Sequence, residues 1–106
     1  MERALQWDFF DYIPVVLQDA TTRDVLMVQY MTEDGLAKTL EERSIWLWSR
    51  SREEFWMAGQ DGGGYDLQDI RANCMGDSLL AVVDSTNRGV CHLGNRTCFL
   101  QPVGPG

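Results

Sequence analysis

The sequence predicts an α+β domain, small and β-rich, built around one main helix. Two observations carry this. Runs of β-branched and aromatic residues at 12–18, 24–30, 44–48, 67–74 and 78–84 are separated by polar or glycine-bearing breaks. A single segment, 33–42, has helical spacing behind a capping residue. A length of 106 residues fits one domain, 1–106, with neither an internal repeat nor room for a second core.

Tyr12-Ile13-Pro14-Val15-Val16-Leu17-Gln18 reads as a strand, its proline near the start where a missing donor is tolerated. Asp19 to Arg23 is a polar break, and Asp24-Val25-Leu26-Met27-Val28-Gln29-Tyr30 is the second arm of a hairpin. These runs are apolar on both faces, which assigns them to a core or to a contact between subunits. Thr32 offers a hydroxyl to cap a helix from Glu33 to Glu42, whose acidic first turn suits the positive end of its dipole. Leu36, Ala37 and Leu40 recur at helical spacing. Gly35 costs the helix about 1 kcal/mol relative to alanine, so packing rather than propensity must hold it.

Ser44-Ile45-Trp46-Leu47-Trp48 begins as a strand with two tryptophans on one face; of Trp46, Trp48 and Trp56, two are expected in the core. Ser49-Arg50-Ser51-Arg52 then supplies amides, hydroxyls and guanidinium forks, groups that suit a phosphate. Gly59-Gln60-Asp61-Gly62-Gly63-Gly64-Tyr65 lets backbone approach a ligand, or serves as a plain flexible loop; it has neither the lysine nor the spacing of a P-loop or dinucleotide fingerprint. The clearest hairpin joins 67–74 to 78–84 through Met75-Gly76-Asp77, and it leaves Cys74 accessible at a strand end. The end, Gln101 to Gly106, is expected to fray.

Composition narrows the function. No apolar run is long enough to cross a bilayer, so no membrane partner is expected. The start, Met1 to Asp8, lacks the apolar stretch of an export signal, and an odd cysteine count opposes a complete internal disulfide set; the cytoplasm is the expected compartment. A net charge of −7 opposes nucleic-acid binding. A small anionic ligand needs only a few cations, and Arg50, Arg52, Arg71, Arg88 and Arg96 are at hand, most of them expected to be solvated surface charges.

The soft metal ligands are Cys74, Cys91, Cys98 and His92. Three protein ligands would leave one tetrahedral position to water, the arrangement of catalytic zinc. With no Cys-x-x-Cys pair, the thiols also suit small buried hydrophobes. Spacing alone leaves both readings open.

A run of segments in one order adds to this: Ile13-Pro14-Val15-Val16-Leu17-Gln18, Val25-Leu26-Met27 with Tyr30-Met31, Lys38-Thr39-Leu40-Glu41, Trp48-Ser49-Arg50-Ser51-Arg52, Trp56 with Gly59, and Cys91-His92 with Gly94 and Cys98-Phe99. Over nearly its whole length the chain resembles the phosphoribosyl-AMP cyclohydrolases of histidine biosynthesis. The resemblance implies an intertwined homodimer of α+β subunits with a zinc site shared between them, Cys74 of one joining Cys91 and Cys98 of the other. It implies that zinc lowers the pKa of a bound water, that hydroxide attacks C6 of the purine, and that His92 handles protons as the C6–N1 bond breaks. A small nucleotide-like substrate is then expected on Trp48, Ser49, Arg50, Ser51, Arg52, Gly59, Gly63 and Arg96.

The chain departs from the family pattern at two places. Where the family usually reads Asp-Cys-Asp-Gly-Asp, this chain has Asn73-Cys74-Met75-Gly76-Asp77. A thioether does not replace a hard oxygen ligand, so magnesium is expected to matter little, with Asp77 the residual position for it. Where the family has Lys-Gly-Glu-Thr-Ser-Gly, this chain has Ala58-Gly59-Gln60-Asp61-Gly62-Gly63, which weakens the expected grip on phosphate. The sequence thus predicts a zinc-dependent hydrolase that opens a purine-type ring, in phosphoribosyl-AMP or a related nucleotide or heterocycle. The alternative is a diverged, catalytically inactive, zinc-stabilised dimeric binding protein.

Overall fold

A computed structural model describes residues 5–58, 65–84, 97, 99 and 101–104. Its elements, in chain order, are β1 (Tyr12–Asp19), β2 (Val25–Thr32), α1 (Glu33–Glu42), β3 (Trp46–Ser49), β4 (Glu54–Met57), β5 (Asp66–Ala72) and β6 (Leu79–Asp84). Four strands form a sheet in the order β2-β1-β6-β5, and β3 pairs with β4 in a separate two-stranded ribbon. The expected α+β, β-rich domain with one helix is what forms.

β1 and β2 pair antiparallel as the hairpin expected, and β1 lies parallel to β6, so the two hairpins join along their first and last strands. Burial alternates along β1: Ile13, Val15 and Leu17 are in the core, while Pro14, Val16 and Gln18 are half-buried. β6 repeats this with Leu79, Ala81 and Val83 inside. β2 breaks the alternation. Leu17 faces Met27 while Gln18 faces Val25, so Leu26 is an extra residue, and the bulge turns both Leu26 and Met27 inward. A second irregularity, at Gln68, shifts the phase of β5 between Leu67 and Ile70. The expectation that the first runs belong in a core or between subunits is met on one face, since Ile13, Val15, Leu17, Leu26, Met27 and Met31 are buried. On the other, Val28 is exposed and Val16 and Val82 only half-buried.

The helix begins and ends where expected. The Thr32 hydroxyl accepts from the Gly35 N–H at 3.0 Å, with Glu33 and Asp34 in the first turn. Arg43 closes it in a left-handed conformation, φ 63°, its N–H bonded to the Thr39 carbonyl, while its guanidinium reaches the Leu67 carbonyl at 2.8 Å and ties the helix end to β5. Of Leu36, Ala37 and Leu40, only Leu36 packs against the core, and it is half-buried. Leu40 is 49% exposed and Ala37 is exposed; the buried residues are Gly35 and Thr39, one turn apart. A Cβ at Gly35 would stand 3.1 Å from the Trp46 carbonyl oxygen, so glycine here permits close approach of helix and β3. The Thr39 hydroxyl accepts the Trp46 N–H at 2.9 Å.

The tryptophans also differ from expectation. None is fully buried. Trp56 packs against the core, whereas Trp46 lies under the Lys38 ammonium, 3.8 Å from its ring centroid, and donates its indole N–H to Glu42. Trp48 meets Phe55 edge to face across the ribbon, at 5.0 Å. Leu47, between Trp46 and Trp48, takes the core position, because strand alternation puts it on the face opposite both. No helix among the described residues is long and apolar enough to cross a membrane.

Candidate active site

The turn between β3 and β4 carries Arg50, Ser51, Arg52 and Glu53. It is held locally: the Ser49 carbonyl accepts the Glu53 N–H at 2.8 Å, and the Ser49 hydroxyl accepts the Arg52 N–H at 3.2 Å. Glu53 closes it with φ 52°, a left-handed conformation unusual outside glycine. A serine at the first position thus does for the turn what a cap does for a helix.

This turn and the strands flanking it border a cleft of about 630 Å³, and all five residues from Trp48 to Arg52 line it. The remaining lining comes from Gln29, Tyr30, Glu54 and Trp56. Arg50 lies over the Tyr30 ring, 3.9 Å from its centroid, and makes no ion pair among the described residues. Arg52 pairs loosely with Glu54 at 3.8 Å, with both side chains exposed, a pair that stabilises little. The lining thus combines the aromatic side chains of Tyr30, Trp48 and Trp56 with two guanidinium groups, two serine hydroxyls and the Glu54 carboxylate. An aromatic ring bearing an anionic group fits such a cleft.

Tyr30 and Gln29 were not among the cleft residues expected from sequence. They belong to β2, far from Trp48 in the chain, and no spacing rule joins them. Tyr30 is on the outer face of β2, opposite Pro14 and in edge contact with Tyr12, so it is free to support Arg50. Glu54 and Trp56 follow from β3-β4 pairing, which the sequence reading did not include.

Cys74 stands apart from this cleft, exposed in the turn between β5 and β6, as expected. It borders a groove of about 960 Å³ of mixed character, in which Leu5, Leu36, Leu40, Ile70 and Leu79 adjoin Asp69, Arg71 and Asn73. Among the described residues no three of His, Cys, Asp and Glu are grouped to hold a metal. Cys91, Cys98, His92, Arg96, Gly59 and Gly63 lie outside the described residues. A thiol at an accessible strand end is a fit ligand for zinc, which takes soft sulfur donors.

Among the described residues, the donor set of this turn does not fit magnesium. The Asn73 amide nitrogen donates to Asp77 Oδ1 at 2.6 Å, so the one remaining carboxylate of the turn is already engaged, and Met75 brings only an exposed thioether. On β5, Asp69 is bound by Arg71 Nε at 2.6 Å. That hydrogen bond from Arg71 holds the Asp69 carboxyl below its ordinary value, opposed by desolvation and aided by the guanidinium charge and the Ile70 backbone N–H.

The fold is a small β-rich domain with a cleft of aromatic, guanidinium and hydroxyl side chains, and comparison with known proteins gives the class as hydrolases of a cyclic amidine. The family model described as phosphoribosyl-AMP cyclohydrolase matches residues 27–100. The chain is 42% identical over 94 residues to a phosphoribosyl-AMP cyclohydrolase of Clostridium botulinum (strain Kyoto / Type A2), covering 88% of this chain and 84% of the relative. It is 44% identical over 100 residues to one of Haloarcula marismortui, covering 93% and 82%. A Burkholderia mallei (strain SAVP1) relative of the same name is 39% identical over 98 residues, covering 92% and 72%. The chain belongs to the phosphoribosyl-AMP cyclohydrolase family.

Proposed function

We propose that this chain opens the purine ring of phosphoribosyl-AMP, or of a closely related nucleotide, by hydrolysis, and that it does so with zinc. The observation that carries the reading is the cleft: in a member of this family, Tyr30, Trp48 and Trp56 line one cleft together with Arg50, Arg52, Ser49 and Ser51. Trp48, Trp56 and Tyr30 give π-faces against which a purine is held, and the guanidinium forks take a phosphate. Cys74, Cys91 and Cys98 are the residues that would hold zinc. Bound there, zinc supplies a nucleophile from water at neutral pH. His92, beside Cys91 in sequence, is suited to moving a proton to or from the ring nitrogen as the C6–N1 bond breaks.

The zinc site is proposed to close between two copies of the chain. Thr97, next to Cys98 in sequence, donates its hydroxyl to the Val25 carbonyl at 2.6 Å, on the β2 edge of the sheet. Cys74 follows β5, on the opposite edge, three strand spacings or about 14 Å away. Thiolates bind zinc at about 2.3 Å, and the resemblance draws the three ligands from two chains. The groove beside Cys74, with Leu5, Leu36, Leu40, Ile70 and Leu79 in its lining, and the half-exposed outer face at Val16, Val28 and Val82 are surfaces a second copy would cover. A reducing compartment such as the cytoplasm suits thiols that must remain unoxidised.

The deciding experiment follows ring opening of phosphoribosyl-AMP by absorbance, with zinc content and sedimentation measured on the same preparation. Turnover by a zinc-containing dimer is the expected result. A zinc-bound dimer that binds the nucleotide without turning it over would favour the binding-protein alternative, and a metal-free monomer purified without chelator would overturn the zinc and dimer readings together.

A further inference from the structure

We infer that Asn73 is a positioning residue: its side chain fixes the turn that presents Cys74 and does so without a divalent cation. The turn closes around this one residue. Its backbone N–H donates to the Ser78 carbonyl at 3.0 Å, and its carbonyl accepts the Gly76 N–H at 3.1 Å. Its side-chain oxygen accepts the N–H groups of Asp77 and Ser78, at 2.9 and 3.2 Å, and its amide nitrogen donates to the Asp77 carboxylate at 2.6 Å.

Only a residue with both a donor and an acceptor on one short side chain can do this. An aspartate at 73 would accept the same two N–H groups but would set a second carboxylate against Asp77, a repulsion that a cation between them would have to offset. With asparagine the Asp77 charge meets an N–H instead, and the turn is complete from protein groups alone. Gly76 makes the reversal possible, with φ 71°. Gln6 braces the outside of the turn, donating its backbone N–H to the Gly76 carbonyl at 2.9 Å and its side-chain amide to the Met75 carbonyl at 3.2 Å. Cys74 is thus held from both sides while its own surface stays exposed.

The functional meaning of this positioning rests on the reading of Cys74 as a zinc ligand. Groups that orient a ligand without touching the metal commonly change affinity by about 10- to 100-fold when removed. The test compares the full-length protein with Asn73→Ala and Asn73→Asp, each with and without magnesium, by two readouts. The first is hydrogen exchange of the Asp77 and Ser78 amides, which reads the turn independently of zinc. The second is zinc retention against a competing chromogenic chelator.

Wild type should show the same amide protection and zinc retention whether or not magnesium is present. Asn73→Ala should expose both amides and weaken zinc binding about tenfold. Asn73→Asp should become magnesium-responsive in both measurements. Amide protection in wild type that rises with magnesium, or Asn73→Ala amides as protected as wild type, would overturn the inference. Cys74→Ser separates the two claims: if it retains zinc as tightly as wild type, the zinc reading falls and the amide protection alone decides the role of Asn73.

Discussion

The Arg50 guanidinium rests on the ring of Tyr30, 3.9 Å from its centroid, across the cleft from no carboxylate partner among the described residues. A guanidinium held over a ring, in a cleft that Arg50 lines and with no ion pair among the described residues, keeps N–H groups available to an anion. Arg50→Ala should therefore lower kcat/KM for a phosphorylated substrate ten- to hundredfold, the equivalent of roughly 1.5–3 kcal/mol for one charge-assisted bond. Tyr30→Leu should raise KM only several-fold, since it removes about 0.5–1 kcal/mol of stacking, and Tyr30→Phe should behave as wild type. Steady-state kinetics on the three variants checks this; an Arg50→Ala enzyme with unchanged KM and kcat removes the cleft from the substrate path.

The Thr39 hydroxyl is fully buried and accepts the Trp46 N–H at 2.9 Å, joining the helix to the start of β3. Thr39→Val keeps the shape and removes the acceptor, so a backbone donor is left unpaired. The expected loss is about 1–3 kcal/mol of stability. Thr39→Ser should recover most of it. Denaturant unfolding of the three proteins would show the order; equal midpoints for Val and Thr would mean that water satisfies Trp46.

Thr39 and Gly35 also show what the sequence left hidden. The helix bounds were legible because capping is local: Thr32, Glu33 and Asp34 announce the start. Which face packs was not, because the helix approaches β3 so closely that a glycine and a threonine fill the contact while Leu40 is left outside. The strands of the first hairpin were readable as apolar, β-branched runs and those of the second from alternation, but the bulges at Leu26 and Gln68 depend on partners far along the chain. In the cleft, Trp48 to Arg52 were identified from composition and resemblance, and the structure brings these five together. Tyr30 was visible as a strand residue and as part of the resemblance but not as a cleft residue, because its place there depends on tertiary contact with Arg50.

Asp69 offers a test of acid behaviour. Its carboxyl lies below its ordinary value of 3.8 because Arg71 hydrogen-bonds the charged form. A lowered folded-state value means that the pair's contribution is present above the ordinary aspartate range and is lost as pH falls through the lowered value. Asp69→Asn should thus narrow the stability difference from wild type only under strongly acidic conditions. Because the pair is exposed, the effect should be small and should shrink with salt. Thermal melts across acidic pH, at low and high salt, check both signs. The same variant should leave any magnesium response unchanged, since Arg71 already occupies this carboxylate; a lost magnesium requirement in Asp69→Asn would show that Asp69 had taken over as a ligand.

The strongest departure from the family pattern concerns phosphate. At the position where the family carries lysine, Ala58 is fully buried in the core and its N–H bonds to the Ile45 carbonyl, so it brings no charge to the cleft. Asp61 adds a negative charge in the same segment. A phosphate that loses one charge-assisted bond loses roughly 1.5–3 kcal/mol, which Arg50 and Arg52 offset only in part. We therefore expect phosphoribosyl-AMP to be hydrolysed with a KM raised about tenfold or more over a relative carrying the lysine. A substrate analogue lacking one 5′-phosphate should suffer a smaller relative loss here than in that relative. The measurement is kcat/KM for both nucleotides on both enzymes, with growth rescue of a strain lacking this histidine-pathway step as a second readout. Equal KM values and equal discrimination would show that the two arginines fully replace the lysine, and that phosphate recognition in this chain lies at the β3-β4 turn alone.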